Sequence, residues 1–285
     1  MRTYRIERAW ALLCLFGCYY GIFASAPFVT LFFLVFLFHA GHEAGHEHLF
    51  ASSIANRVFG VLCFSCQMHN YFLLRGAHAE HHTCGREDRA HCLIDHRSKV
   101  KSLTAYVEYY ALLCGWNYVG FIVAGCLLPF RSFVFRHYPF LRYSFRSALL
   151  CELVVLLHIV IVFWSFGLMA LLVYSLFALY WGVSQNVAHY ALPIGGPHGK
   201  YASRTFRVQP ALSAAFFGST FFHLEHHVVP ELPSDRLQSA AVSDRVREVI
   251  GAQPFVVIGF GGYLKCLVQQ FRGPFPAQMP WREFA

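Results

Sequence analysis

Charge is what this sequence has least of. Asp, Glu, Lys and Arg make up 13% of the 285 residues, where a soluble domain carries roughly a quarter. No long polar linker divides the chain, and no internal period or low-complexity tract appears. One domain is therefore expected over 1–285, with a core over about 10–240 and a cytoplasmic tail over about 241–285. Ten cysteines are present, but Cys63 and Cys66 form a C-x-x-C without a second pair, and a zinc site of that type needs two. Several of the others (Cys14, Cys18, Cys114, Cys126, Cys151) lie in apolar runs, so a disulfide scaffold is not indicated.

What is abundant is apolar. Hydrophobic residues reach 56%, with 30 phenylalanines, a composition suited to a polytopic membrane protein. The net charge of +8 fits basic loops held on the cytoplasmic side of an anionic bilayer. A nucleic-acid footprint is the rival reading of basic charge. It is disfavoured because the arginines are scattered between apolar runs.

The periodicity predicts a first apolar helix over about 10–23 and a second from about 28. The start resembles a signal peptide, with Ala24, Ser25 and Ala26 as a cleavage site. The next apolar run begins at once, and a helical hairpin turning near Pro27 is the preferred reading. A span needs ~20 residues, so the run at 28–38 is expected to continue through "HAGHEAGHEH". Residues 54–74 are expected to form an interfacial helix. Residues 75–101 are basic and expected in the cytoplasm. If 106–130 crossed once, the arginines of 131–147 would face outside, so 106–130 is expected to be re-entrant or interfacial. Residues 149–190 fit two spans with a break near Gly167. The expected fold is an all-α integral membrane protein. It has about four transmembrane helices in two hairpins, under a cytoplasmic histidine-rich helical cap.

Seventeen histidines are unevenly placed. His42-Glu43-Ala44-Gly45-His46 is a literal H-E-x-x-H, which on a helix holds zinc with the glutamate as base. "HAEHH" carries His78, His81 and His82, and "HLEHH" carries His223, His226 and His227. At about 100° per residue, positions i+3 and i+4 of a helix fall at about −60° and +40° from i, on one face. A single such box can be a polar helix face. Two copies beside an H-x-x-x-H point to metal.

Counting ligands separates the readings. Catalytic zinc takes three protein ligands and an open position. Eight histidines in three boxes suit two metals of higher coordination, such as two irons. A membrane zinc protease would also be expected to supply a third ligand, often from an L-D-G context, and no L-D-G occurs. A zinc hydrolase using His42, Glu43 and His46 would make His81, His82, His226 and His227 dispensable. Glu43, Glu80 and Glu225 are read as partners of ligand N–H groups.

Three boxes flanking membrane hairpins resemble the membrane fatty acid desaturase and hydroxylase superfamily. "HLEHHVVPELPSDRL" resembles its third box with the following Pro230 and Pro233. The resemblance implies two iron ions, with O2 as co-substrate, oxidising a lipid or acyl chain. Desaturation leads; hydroxylation or ketolation of a lipid, alkane or carotenoid is the alternative. It implies His189 in "SQNVAHY" as a ninth histidine ligand, with Asn186 or Gln185 acting through water. No flavin or nicotinamide fingerprint and no H-P-G-G haem signature is present, so electrons are expected from a separate ferredoxin or b-type cytochrome with its reductase.

Other residues are weighed as bystanders. His39 shares the face of His42 and His46 and is expected beside the metal rather than on it. His48 is expected to be solvated. His69, His91 and His96, with Asp88 and Asp95, are expected in a loop near the second box. Glu152 and His158 fall in a predicted span, where ionisable groups are functional candidates by default.

Overall fold

In the computed structural model the described residues are 2–84, 103–189, 203, 205–207, 217–250 and 256–271. His91, His96, Asp88 and Asp95 lie outside them. The chain packs as two units, Met1–Ala79 with Asn117–Tyr180 and Glu80–Trp116 with Trp181–Ala285.

The first unit is helical and apolar. Helix α1 (Arg2–Phe23) and helix α2 (Pro27–Gly45) form a hairpin. Residues 24–26 make its turn, with Ser25 at φ 53°, and Pro27 opens α2, where its missing N–H is no loss. Gly21 permits the close approach: a Cβ there would stand 2.8 Å from the Thr30 nitrogen. Helix α3 (Ser53–Cys66) packs on α2 and α8. Helix α6 (Trp116–Cys126), helix α7 (Arg131–His137) and helix α8 (Phe145–Phe166) follow in this unit. Helix α9 (Met169–His189) starts after Gly167, which sits at φ 56°. Along α8, Leu150, Leu153, Leu157, Val160 and Trp164 are exposed, while Cys151, Glu152, Val155, His158 and Val162 are buried. Such an apolar exposed stripe is what lipid would cover.

Among the described residues, three helices are long and apolar enough to cross a membrane: Ile6–Phe23, Pro27–Gly45 and Phe145–Phe166. In α9 the apolar stretch Met169–Gln185 is shorter. The expected single helix over 54–74 is instead two. Helix α4 (Tyr71–Cys84) begins after a break at 67–70, where Met68 takes φ 58°. Helix α2 ends at Gly45, with His46 as its C-cap in right-handed conformation. Residues 106–130 fall on two 11-residue helices, α5 (Leu103–Leu113) and α6, parted at Gly115, φ 87°. Each is about 16 Å long at ~1.5 Å per residue, too short to span.

The second unit holds α5 and a small parallel pair, β1 (Thr205–Arg207) with β2 (Val256–Ile258). A parallel pair needs a long crossover. This one contains helix α10 (His223–Val228) and helix α11 (Ala240–Ile250), and helix α12 (Gly259–Gln270) follows β2. Leu224 of α10 packs on Val242 and Val246 of α11. The hydroxyl of Tyr109 on α5 donates to the Gln270 carbonyl at the end of α12, 2.6 Å. The architecture is all-α, with this strand pair as an addition.

Candidate metal centre

The first histidine group lies in the first unit. The His46 amide still bonds to the His42 carbonyl at 3.2 Å, so the i, i+4 relation survives the end of α2. His78 comes from α4. His42, His46 and His78 each offer a ring nitrogen within 4.8 Å of the others, and Nε2 of His46 and His78 are 2.9 Å apart. His48 stacks its ring on His46 at 5.5 Å. Glu43 is buried, with an oxygen 3.4 Å from His42 Nδ1. His39 Nε2 lies 2.6 Å from the Tyr180 hydroxyl.

The second group lies in the second unit. His81, His223 and His227 are buried, with ring nitrogens within 4.8 Å of one another. His227 Nε2 is 3.2 Å from His81 Nε2 and 3.1 Å from His223 Nε2. The His82 ring stands 4.6 Å from that of His226 and 4.8 Å from that of His227. Glu225 is buried on α10 and accepts a hydrogen bond from the Thr205 hydroxyl of β1. Helix α4 thus carries His78 to the first group and His81 and His82 to the second.

These nitrogens fit a metal. A neutral imidazole Nε2 carries either a proton or a lone pair, so His227 Nε2 can form a simple hydrogen bond with only one of its two neighbours. A shared cation satisfies all three. Nitrogens bound to one ion at ~2.1 Å stand about 3.0 Å apart when cis in an octahedron and about 3.4 Å apart in a tetrahedron. The separations of 3.1 and 3.2 Å fall in that range and that of 2.9 Å lies just below it.

The other sequence candidates are spread out. Glu80 is half-buried on α4 and Gln185 half-buried on α9. Asn186 and His189 lie at the end of α9, but their side chains are outside what is described. His69 is buried between α3 and α4 and donates from Nε2 to the Tyr118 carbonyl, 3.1 Å. Burial lowers its pKa to about 4, partly offset by that bond, so it stays neutral at physiological pH.

Nothing in the local sequence marks the anchors. Glu47, at φ 62°, accepts from the Ser53 hydroxyl and from Arg75 on α4 at 2.7 Å, with Arg57 at 3.8 Å. Arg75 lies one turn before His78, so the ion pair ties the end of the first box to the helix of the second. Its carboxyl sits below its ordinary value, chiefly through Ser53, with Arg75 and Arg57 adding and desolvation opposing. A depressed carboxylate contributes stability above its unfolded pKa and loses it as pH falls through the folded value. The tie is therefore expected to hold at pH 6–8 and to weaken below about pH 4. Glu47→Gln is expected to flatten that acid limb of the unfolding-temperature profile. An unchanged limb in the variant would remove Glu47 from the account. The i, i+28 charge pair had no local signature. Tyr180 and Thr205 had none either.

A membrane protein whose helices carry clustered histidines is the class these features define. A family model described as "Fatty acid desaturase" matches residues 8–258. The chain belongs to the fatty acid desaturase family, and so is a membrane oxidoreductase with a lipid substrate. No curated protein and no solved structure matches it.

Proposed function

We propose that the protein is a di-iron membrane oxidase that desaturates a fatty acyl chain. The observation that carries this is the gathering of histidines from three distant boxes into two groups, each with metal-like nitrogen spacing. His42, His46 and His78 would hold one iron. His81, His223 and His227 would hold the other, with His82, His226 and His189 as further ligands. Iron, when bound, supplies O2-dependent removal of hydrogen from an unactivated C–H bond.

The chain's own residues do the rest. Neutral imidazoles bind without adding negative charge, and buried groups fix their orientation. Tyr180 orients His39, which lies on α2 one turn before His42. Thr205 orients the Glu225 carboxylate within the third box. Burial of His81, His223 and His227 keeps bulk water from the second group, as oxidation of an inert bond requires. Desaturation consumes O2, two electrons and two protons, giving an alkene and two waters. The electrons come from a separate ferredoxin or b-type cytochrome. The positive-inside rule puts the boxes on the cytoplasmic face.

The test is metal content and product mass, with the chain in nanodiscs. The expected result is near two irons per chain and, on chemical reduction and exposure to O2, an acyl product lighter by two hydrogens. A product heavier by one oxygen would replace desaturation with hydroxylation. Near one zinc per chain, retained in His82→Ala and His226→Ala, would return the H-E-x-x-H to a hydrolase.

A further inference from the structure

We infer that Glu152, on the spanning helix α8, is a positioning residue for the metal-binding helix α4 and acts through Asn70. The inference rests on the di-iron reading above.

The break between α3 and α4 is buried. Gln67 and His69 are 0% exposed and Asn70 1%. A buried turn must find partners for its backbone, and neighbouring helices of the first unit supply them. The Tyr118 hydroxyl donates to the Gln67 carbonyl at 2.8 Å, and the Tyr174 hydroxyl to the Cys66 carbonyl at 2.8 Å.

Asn70 then starts α4. Its Oδ1 accepts from the Phe72 and Leu73 amides at 3.1 and 3.3 Å, satisfying N–H groups that a helix start leaves orphaned. Its Nδ2 donates to Glu152 Oε2 at 2.9 Å and to the Ala148 carbonyl at 2.8 Å. An amide can face either way in such a site. Turned over, Asn70 would set its oxygen against the Glu152 carboxyl and the Ala148 carbonyl, and its NH2 against two amides. Glu152, together with the Ala148 carbonyl, therefore locks the acceptor end toward α4. Helix α6 leaves the space, since a Cβ at Gly125 would stand 2.6 Å from Glu152 Oε2.

The consequence is carried along α4. His78 lies eight residues on, about 12 Å at ~1.5 Å per residue, and meets His46 nitrogen to nitrogen at 2.9 Å. Metal and catalytic geometries tolerate misplacement of only about 0.5 Å. A carboxyl buried in a spanning helix is expensive and marks a functional position. Here its partner begins the helix that bears the second histidine box.

The test uses the full chain in nanodiscs. Amide hydrogen exchange over 71–76 reads the start of α4, and the Mössbauer signature reads the irons. Asn70→Ala and Glu152→Ala are expected to speed exchange at Phe72 and Leu73 roughly fivefold to tenfold, as loss of one helix cap implies, and to alter the signature. Glu152→Gln keeps an acceptor for Asn70 and is expected to preserve both. Asn70→Asp sets two carboxyls together and is expected to disturb both. Adding Glu152→Gln restores the donor–acceptor pair with residue 152, though not the bond to the Ala148 carbonyl, and is expected to recover both in part, a comparison that stands even where Glu152→Ala fails to fold. Unchanged exchange in Glu152→Ala, or faster exchange with the wild-type iron signature, would overturn the inference. A wild-type chain without iron sinks the di-iron reading instead, and the exchange arm then decides the Glu152–Asn70–α4 linkage alone.

Discussion

Replacing His227 by alanine is expected to strip the second histidine group of metal and abolish turnover. His227 is the centre of that group, with Nε2 3.2 Å from His81 and 3.1 Å from His223, and its ring borders that of His82. No neighbour can take its place, because His81 sits on α4 and His223 one turn back on α10. Removing an orienting partner of a metal ligand typically costs ~10–100-fold in affinity or activity, and removing a ligand itself costs more. Thr205→Val, which replaces only the hydroxyl bonded to Glu225 by a methyl, is expected to stay within that ~10–100-fold window. Iron per chain and acyl turnover measured on both variants check the order. The fold should survive His227→Ala, since α10 is held through Leu224 against Val242 and Val246. Iron retained at the wild-type level would take His227 out of the site.

Asn56→Ala is expected to destabilise the first unit by about 2–4 kcal/mol, from lost hydrogen bonds and a buried amide left unpaired. Asn56 is fully buried on α3. Its Oδ1 accepts from the Phe50 amide at 2.9 Å. Its Nδ2 faces three carbonyls, Phe50 at 2.7 Å, Ser52 at 3.0 Å and Glu47 at 3.2 Å. One side chain thus staples the irregular segment that follows His46. Alanine leaves the Phe50 amide unsatisfied and frees the Glu47 carbonyl, next to a first-group histidine. A lower melting temperature in detergent, with weaker iron retention, is the expected pair of results. Asn56→Asp keeps the acceptor but turns a buried carboxyl oxygen toward three carbonyls, so it is expected to destabilise at least as much. Wild-type melting in Asn56→Ala would show that the segment is held by Glu47, Ser53 and Arg75 instead.

Much of the site could be read locally, because its logic repeats along helices. His42 and His46 need only one turn of α2, and His223 and His227 only one turn of α10. The hairpin at residues 24–26 was signalled by Pro27. The break at 67–70 has one local mark, Asn70 ahead of an apolar run, a helix-start residue. The run of apolar residues on both sides hid it. Asn56, Arg75, Tyr180 and Thr205 were passed over because each acts on a residue far along the chain, and nothing in its own neighbourhood marks it.

The sequence by itself determined the N-terminal helical hairpin, the apolar run of α8 and the histidine boxes. All three depend on composition and on periods of three to four residues, which a short stretch contains in full. Only the tertiary structure decided how the second box is divided, sending His78 to one group and His81 and His82 to another. Positions i and i+3 of a helix differ by about 60° and ~4.5 Å along the axis, enough to face different partners. Those partners arrive from residues 42–46 and 223–227, a choice made by packing that no local pattern encodes.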